Sequence, residues 1–239
     1  MDALILAAGQ GSRLKLGRAK CLAYVGGRPL IHHQFDALRA AGVERFFVVA
    51  GYQAPLVEQA LPGGTTLIYN DSYAKTNSLY SFLLARRTVG RELLVLNCDV
   101  LFHPLIAQMV ARHPGAALAY DSTSGGDAEE MKVEVRGGRL VTMSKTLAPG
   151  RSCGENVGII RLSGAATRAA FDAAQQMVAA GGRRQWLPAA IAAIAGEHPV
   201  ACLDVAGLPW TEIDFPEDLA HARTSVLPAM TVTELPAAA

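Results

Sequence analysis

Residues 3–8 are a run of six apolar side chains, Ala3-Leu4-Ile5-Leu6-Ala7-Ala8, that stops abruptly at Gly9-Gln10-Gly11-Ser12-Arg13. The run is short for a helix and lacks the alternation of a strand with one wet face. It predicts a strand buried on both faces, as in a parallel sheet covered by helices. Arg45 to Ala50 repeats the pattern and ends at Gly51. Thr65 to Tyr69 and Glu92 to Leu96 read as further strands, the latter running into Asn97-Cys98-Asp99. Between them, Pro29 to Ala41 carries apolar residues near helical spacing with Gly42 as a C-terminal stop, and Asn77 to Arg87 reads as a second helix. Strands alternating with helices predict an α/β fold with a doubly wound, mostly parallel (mixed) sheet. In such sheets ligands sit just beyond the carboxyl ends of the strands.

The second half is less regular. Ala116 to Tyr120, Lys132 to Val135, Arg139 to Met143, Asn156 to Leu162 and Val200 to Val205 read as strands, with Gly137-Gly138 as a hairpin turn. Ala165 to Ala180, Trp186 to Ala195 and Pro216 to Arg223 read as helices. No interdomain linker stands out, so residues 1–223 are expected to form a single domain. From Thr224 to Ala239 the composition turns to Ala, Pro and Thr with little periodicity, which predicts a flexible tail.

Composition closes off several function classes. A net charge of +1 gives no footprint for nucleic acid or an anionic membrane. Cys21, Cys98, Cys153 and Cys202 are far apart and form no C-x-x-C pair, which argues against a zinc site or a disulfide framework. An acid at Asp2 and the early glycines argue against a secretory signal, and no uncharged apolar stretch reaches the ~18 residues a spanning helix needs. The expectation is a cytoplasmic protein with reduced thiols. The sequence leaves oligomeric state open.

The loop after the first strand points to phosphate. Its glycines let the backbone turn sharply and present N–H groups to an anion. Arg13 and Lys20 add full positive charges, the first able to grip phosphate oxygens bidentately. The dinucleotide fingerprint fails, because Leu14 stands where G-x-G-x-x-G needs its third glycine. The G-x-x-x-x-G-K-[ST] loop fails as well, since no Gly-Lys pair follows. A strand-ending turn with no ligand is the plainer alternative.

The stretch Leu6-Ala7-Ala8-Gly9-Gln10-Gly11-Ser12-Arg13, followed by Lys20-Cys21-Leu22, resembles the signature of sugar-nucleotide and related nucleotidyltransferases: L-x-x-G-x-G-x-R, a short spacer, then K-P-L. Gly26-Gly27-Arg28-Pro29-Leu30-Ile31, Gly51-Tyr52, Asn97-Cys98-Asp99 and Glu212-Ile213-Asp214 extend the resemblance across residues 1–223. The small size and the segment from Tyr73 to Ser81 are most similar to cytidylyltransferases that activate phosphocholine, inositol phosphate or aminoethylphosphonate. Two positions depart from the pattern: Cys21 replaces the usual proline, and Asn97-Cys98 stands where a glycine often precedes the metal aspartate.

The resemblance implies a Rossmann-like nucleotidyltransferase fold and a Mg²⁺-dependent enzyme. Such an enzyme passes a nucleoside monophosphate, CMP from CTP by preference, to a small phosphorylated alcohol or phosphonate and releases pyrophosphate. It places the nucleotide against Leu6, Ala7, Ala8, Gly9, Gln10, Gly11 and Ser12, with Asn77, Ser78 and Cys98 completing its site. Arg13 and Lys20 become the catalytic cations, and Asp99 and Asp214 the metal ligands, with Glu212 nearby. Lys132, Lys145 and Glu155 become acceptor-binding residues, with Glu129 and Glu130 beside them. Each role has a plainer counterpart. Asp214 and Asn77 both precede helices and suit N-caps, and Trp210 and Tyr120 suit core positions as well as pocket walls. Two other readings stay open: a sugar 1-phosphate nucleotidyltransferase using UTP, dTTP or GTP, and a catalytically silent binding or regulatory homologue. A nicotinamide oxidoreductase is disfavoured by Leu14, and a glycosyltransferase by the missing first acid of a D-x-D pair at Asn97.

Overall fold

The computed structural model describes residues 1–124, 126 and 128–232. In chain order the strands are β1 (Asp2–Ala7), β2 (Tyr24–Val25), β3 (Arg28–Pro29), β4 (Arg45–Ala50), β5 (Thr66–Tyr69), β6 (Leu93–Asn97), β7 (Val100–Phe102), β8 (Ala117–Asp121), β9 (Lys132–Arg136), β10 (Arg139–Ser144), β11 (Glu155–Leu162), β12 (Ala201–Asp204) and β13 (Trp210–Glu212). The helices are α1 (Leu30–Ala40), α2 (Ala54–Ala60), α3 (Ser78–Leu84), α4 (Pro104–Arg112), α5 (Ala165–Ala179), α6 (Leu187–Ile194), α7 (Pro216–His221) and α8 (Leu227–Val232).

The expected mixed α/β sheet forms, with nine strands in the order β5-β4-β1-β6-β11-β8-β12-β10-β9. The half from β5 to β6 is wholly parallel, β11 runs antiparallel to both β6 and β8, and β12 returns parallel to β8. β1 is buried at every residue. Ala3, Ile5 and Ala7 face one core layer, shared with α1 and α4, while Leu4, Leu6 and Ala8 face the other, shared with α3, α5 and α6. This two-sided burial accounts for a continuous apolar run in place of an alternating one.

The chain leaves β1 outward through β4 and β5, then returns to β6 on the other flank of β1. That reversal makes the gap beyond the β1 and β6 carboxyl ends the switch point of the sheet. The register Leu6↔Asn97 and Ala7↔Ala50 brings the Gly9 loop, Asp99 and Gly51 to this one edge.

The tail departs from its expected flexibility over residues 224–232. A π-helical stretch, Ala222–Val226, leads directly into α8. Val226 is buried, and Leu227 and Met230 pack on a third apolar cluster with Leu14, Val25, Leu30, Leu101 and Ile213. Gly26, at φ +57°, leaves the space that the Leu227 side chain fills. Apolar residues one and four apart after Val226 are enough for a helical face; Thr224 and Pro228 hide it in a composition count. Residues 233–239 lie outside the described part of the chain. No helix among the described residues is long and apolar enough to cross a membrane.

Candidate active site

Three pieces of backbone converge at the switch point. The first is the turn after β1, which becomes a 3₁₀ turn at Ser12–Leu14. Its return hydrogen bonds are Leu14 N–H to Gly11 and Lys15 N–H to Ser12, so the amides ahead of them have no partner within the turn. Gly11 is at φ +58°, and a Cβ there would collide with the aliphatic stem of Lys20. The glycine therefore serves both the turn and the passage of the lysine.

The second piece is the turn from β6 to β7, Asn97-Cys98-Asp99. Buried Gln34 on α1 pins it by donating to the Asn97 and Val100 carbonyls, both at 2.9 Å. The third is the end of β13. β13 pairs antiparallel with β7, Glu212 opposite Val100, and Ile213 N–H donates to the Asp99 carbonyl at 2.8 Å. This ribbon brings Asp99 and Asp214 together across more than a hundred residues of sequence.

The resulting ion cluster is compact. Lys20 Nζ donates to Asp99 Oδ2 at 2.8 Å and also to Asp214 Oδ1. Arg13 donates to Asp214 Oδ2 and, at 2.8 Å, to Glu129 Oε2. Glu129 in turn accepts from Lys145 Nζ at 3.2 Å. The Arg13 guanidinium also rests 5.0 Å from the Phe215 ring centroid. Side-chain exposures of 13% for Lys20, 16% for Asp99 and 15% for Asp214 keep these charges out of the screening that weakens surface pairs. Asp99, Glu212 and Asp214 each offer an oxygen within 4.8 Å of the others, a donor set that suits a hard divalent cation.

Titration follows from this packing. Burial pulls the Lys20 ammonium down, but Asp99 outweighs it and the net shift is upward. Burial, then the neighbouring Asp99 charge, push the Glu212 carboxyl up to about 7, with Lys20 opposing. Cys98 is held well above the usual thiol range by the adjacent Cys21 thiol and by burial.

A cleft of about 480 Å³ opens over the cluster. Leu6, Ala8, Gly9, Gly11, Ser12, Arg13, Lys20, Asn77, Ser78, Cys98, Asp99, Lys145 and Asp214 all line it. Ala7 and Gln10 do not: Ala7 points into the opposite core layer and Gln10 is exposed. Lys132 and Glu155 also stand outside the lining. Lys132 is buried and donates to the Lys145 carbonyl at 3.3 Å, while Glu155 accepts from Ser124 Oγ at 2.6 Å. β9 and β11 pair there, Glu155 opposite Lys132.

The plainer alternatives divide. Asp214 does not cap α7; the Asp218 carboxylate does so, accepting from Asp214 N–H at 2.9 Å and Phe215 N–H at 2.7 Å. Asn77 does cap α3, its Oδ1 accepting from Ser78 N–H, and Ser78 Oγ accepts from Leu187 N–H at the start of α6. Trp210 and Tyr120 do not line the cleft; the Trp210 indole donates to Asp121. The aromatic residues that do are Tyr73 and Trp186, the latter just ahead of α6. Residues without a cue in the sequence include Asn70, which is buried, lines the cleft with Thr76 and Ser81, and ties both and Ser72 into one network.

Residues 3–203 match the MobA-like NTP transferase domain. The chain belongs to that nucleotidyltransferase family. The matched span holds the glycine loop, Lys20 and Asp99; Glu212 and Asp214 come after it. A bifunctional IPC transferase and DIPP synthase of Rubrobacter xylanophilus is 32% identical over 238 residues, which is 95% of this chain and 52% of that protein. A choline-phosphate cytidylyltransferase of Streptococcus pneumoniae is 30% identical over 118 residues, 47% of this chain and 51% of that one. The chain thus spans about half the length of these curated relatives. Among solved structures, an inositol-1-phosphate CTP transferase from T. maritima superposes with a TM-score of 0.81 at 22% identity, covering 96% of this chain and 94% of that one. That likeness establishes a shared fold.

Proposed function

We propose that the chain transfers a nucleoside monophosphate, CMP from CTP, to a small phosphorylated alcohol or phosphonate. An oxygen of the acceptor's phosphate attacks the α-phosphorus of the triphosphate, the bond from that phosphorus to the bridging oxygen breaks, and pyrophosphate leaves in line. Phosphoryl chemistry of this kind needs positioning and charge neutralisation more than covalent help.

The observation that carries this reading is the meeting of Arg13 and Lys20 with Asp99 and Asp214 at the mouth of an amide-lined loop. Loop amides from Gly9 to Ser12 would receive the triphosphate. Arg13 would neutralise the leaving β- and γ-phosphates, and Lys20 the α-phosphate as charge builds there. Lys145, the acceptor-side candidate in the cleft lining, would hold the acceptor's anion. Asp99 and Asp214 would hold Mg²⁺, which when bound supplies positive charge to the triphosphate. The lean to CTP rests on what the two cytidylyl-type relatives are named for.

The test is a pyrophosphate-release screen. Four nucleoside triphosphates are crossed with phosphocholine, aminoethylphosphonate, inositol phosphate and sugar 1-phosphates, with and without Mg²⁺. The largest signal is expected with CTP and Mg²⁺. A preference for UTP, dTTP or GTP with a sugar 1-phosphate would replace the cytidylyl reading, and silence with every pair, simple alkyl and aryl phosphates included, would end the transferase reading.

A further inference from the structure

Beside the main cleft lies a second cavity of about 400 Å³. The two share Met131, Lys145, Trp186 and Pro188 as a common wall, so a molecule gripped at Lys145 reaches both. Beyond that wall the surfaces differ in chemistry. The main cleft carries Asp99, Glu129, Glu212 and Asp214. The side cavity adds Met143 and Ala189, and among the described residues lining it the charged ones are Lys145 and Arg184, both cationic.

Trp186 would be the natural face for an ammonium group, yet its position is taken. Lys145 Nζ lies 5.4 Å from the Trp186 ring centroid while reaching Glu129 at 3.2 Å. A cationic ligand would have to displace the protein's own cation and then face Arg184 without a carboxylate in the lining. An uncharged apolar group meets the thioether, indole and proline surfaces there with no such penalty.

We propose that the side cavity is the subsite for the organic part of the acceptor, and that it takes an uncharged apolar substituent. The acceptor class is then an alkyl or aryl phosphate or phosphonate, with its anion at Lys145. This rests on the transferase reading above and narrows its acceptor to one chemical class.

The experiment measures kcat/KM with CTP and Mg²⁺ for methyl, isobutyl and benzyl phosphate against phosphocholine, aminoethylphosphonate and inositol phosphate. Benzyl or isobutyl phosphate should exceed phosphocholine by about tenfold or more, the scale at which a hydrophobic pocket discriminates. Ala189→Leu, which fills the cavity from α6, should cut the benzyl-to-methyl selectivity ratio by a similar factor. Equal or better use of phosphocholine, or an Ala189→Leu ratio like that of the parent, overturns the proposal. If no pair releases pyrophosphate with CTP, the cytidylyl reading fails, and calorimetric binding of the same phosphates decides the subsite. Tighter benzyl phosphate, weakened by Ala189→Leu, upholds it; equal or tighter phosphocholine overturns it.

Discussion

Replacing Lys20 with methionine separates a cation that shapes the site from one that merely decorates its rim. The Lys20 ammonium bridges Asp99 and Asp214, and these two carboxylates with Glu212 have oxygens within 4.8 Å of one another. At that spacing and an effective dielectric near 20, two ionised carboxylates repel by about 3.5 kcal/mol. Arg13 remains on Asp214, but Asp99 and Glu212 lose the cation that faces them both. Deleting one partner of a buried pair costs about 3–5 kcal/mol, and uptake of a proton by the cluster trims that, so a loss of about 3 kcal/mol is expected at pH 8 without metal. For a chain of this size that is a fall in melting temperature of about 6–12 °C.

Mg²⁺ should restore part of it. In the parent a divalent ion must first draw Asp99 and Asp214 away from Lys20, whereas in Lys20→Met it meets uncompensated carboxylates. The Mg²⁺-induced rise in melting temperature should therefore be larger in the variant. Turnover should fall by about 10²–10³, the usual cost of one lost transition-state charge contact. Differential scanning fluorimetry with and without Mg²⁺, alongside pyrophosphate release, reads all three. An unchanged melting temperature with unchanged turnover would refute the reasoning at its root. Identical Mg²⁺ shifts in parent and variant would remove the carboxylates as the metal's holders.

Gly11→Ala places a Cβ against the Lys20 stem at φ +58°, so turnover should fall at least tenfold with a stability loss of about 1–3 kcal/mol, checked by steady-state kinetics and urea unfolding. Leu227→Ala removes the side chain filling the space at Gly26 and should cost about 1–2 kcal/mol in urea unfolding; no loss would return residues 224–232 to the status of a loose tail. Burial lowers the pKa of both His103 and His33, and a buried base with a depressed pKa takes up its proton more readily in the unfolded chain. The histidines' contribution to stability should thus be full above about pH 6.5, their unperturbed value, and fall as the pH drops below it, whereas Glu212, raised to about 7, acts in the opposite sense and loses stability as the pH rises towards that value. His103→Asn, which can still accept from Leu105 N–H at the start of α4, should flatten that acid limb in unfolding measured from pH 5 to 8.

What the residues disclose in advance follows the range over which each physical signal acts. β1 and β4 are legible because burial on both faces leaves an unbroken apolar run, and the glycines at their ends mark where the chain turns. The pairing of Lys20 with Asp99 was approachable for the same reason, since both sit just past strand ends that a parallel sheet must bring to one edge. Other features depend on partners distant in sequence. Nothing local separates Asp214 from an ordinary helix cap; the distinction lies in Asp218 taking the capping hydrogen bonds and in β13 pairing with β7. Lys132 and Lys145 look alike as lysines beside strands, yet one is buried and the other reaches the cleft, a difference set by the β9–β10 register. α4 carries its cue locally: Pro104 opens it behind a His103 cap, with Ile106 and Val110 on the buried side. Gln34 had none, because a polar residue on an apolar helix face shows its purpose only when the Asn97 and Val100 carbonyls arrive from another strand. The chemistry of the site is thus written in short stretches around residues 9–20 and at 99 and 214, while the accuracy of their placement is set by residues such as Gln34 and Asp218.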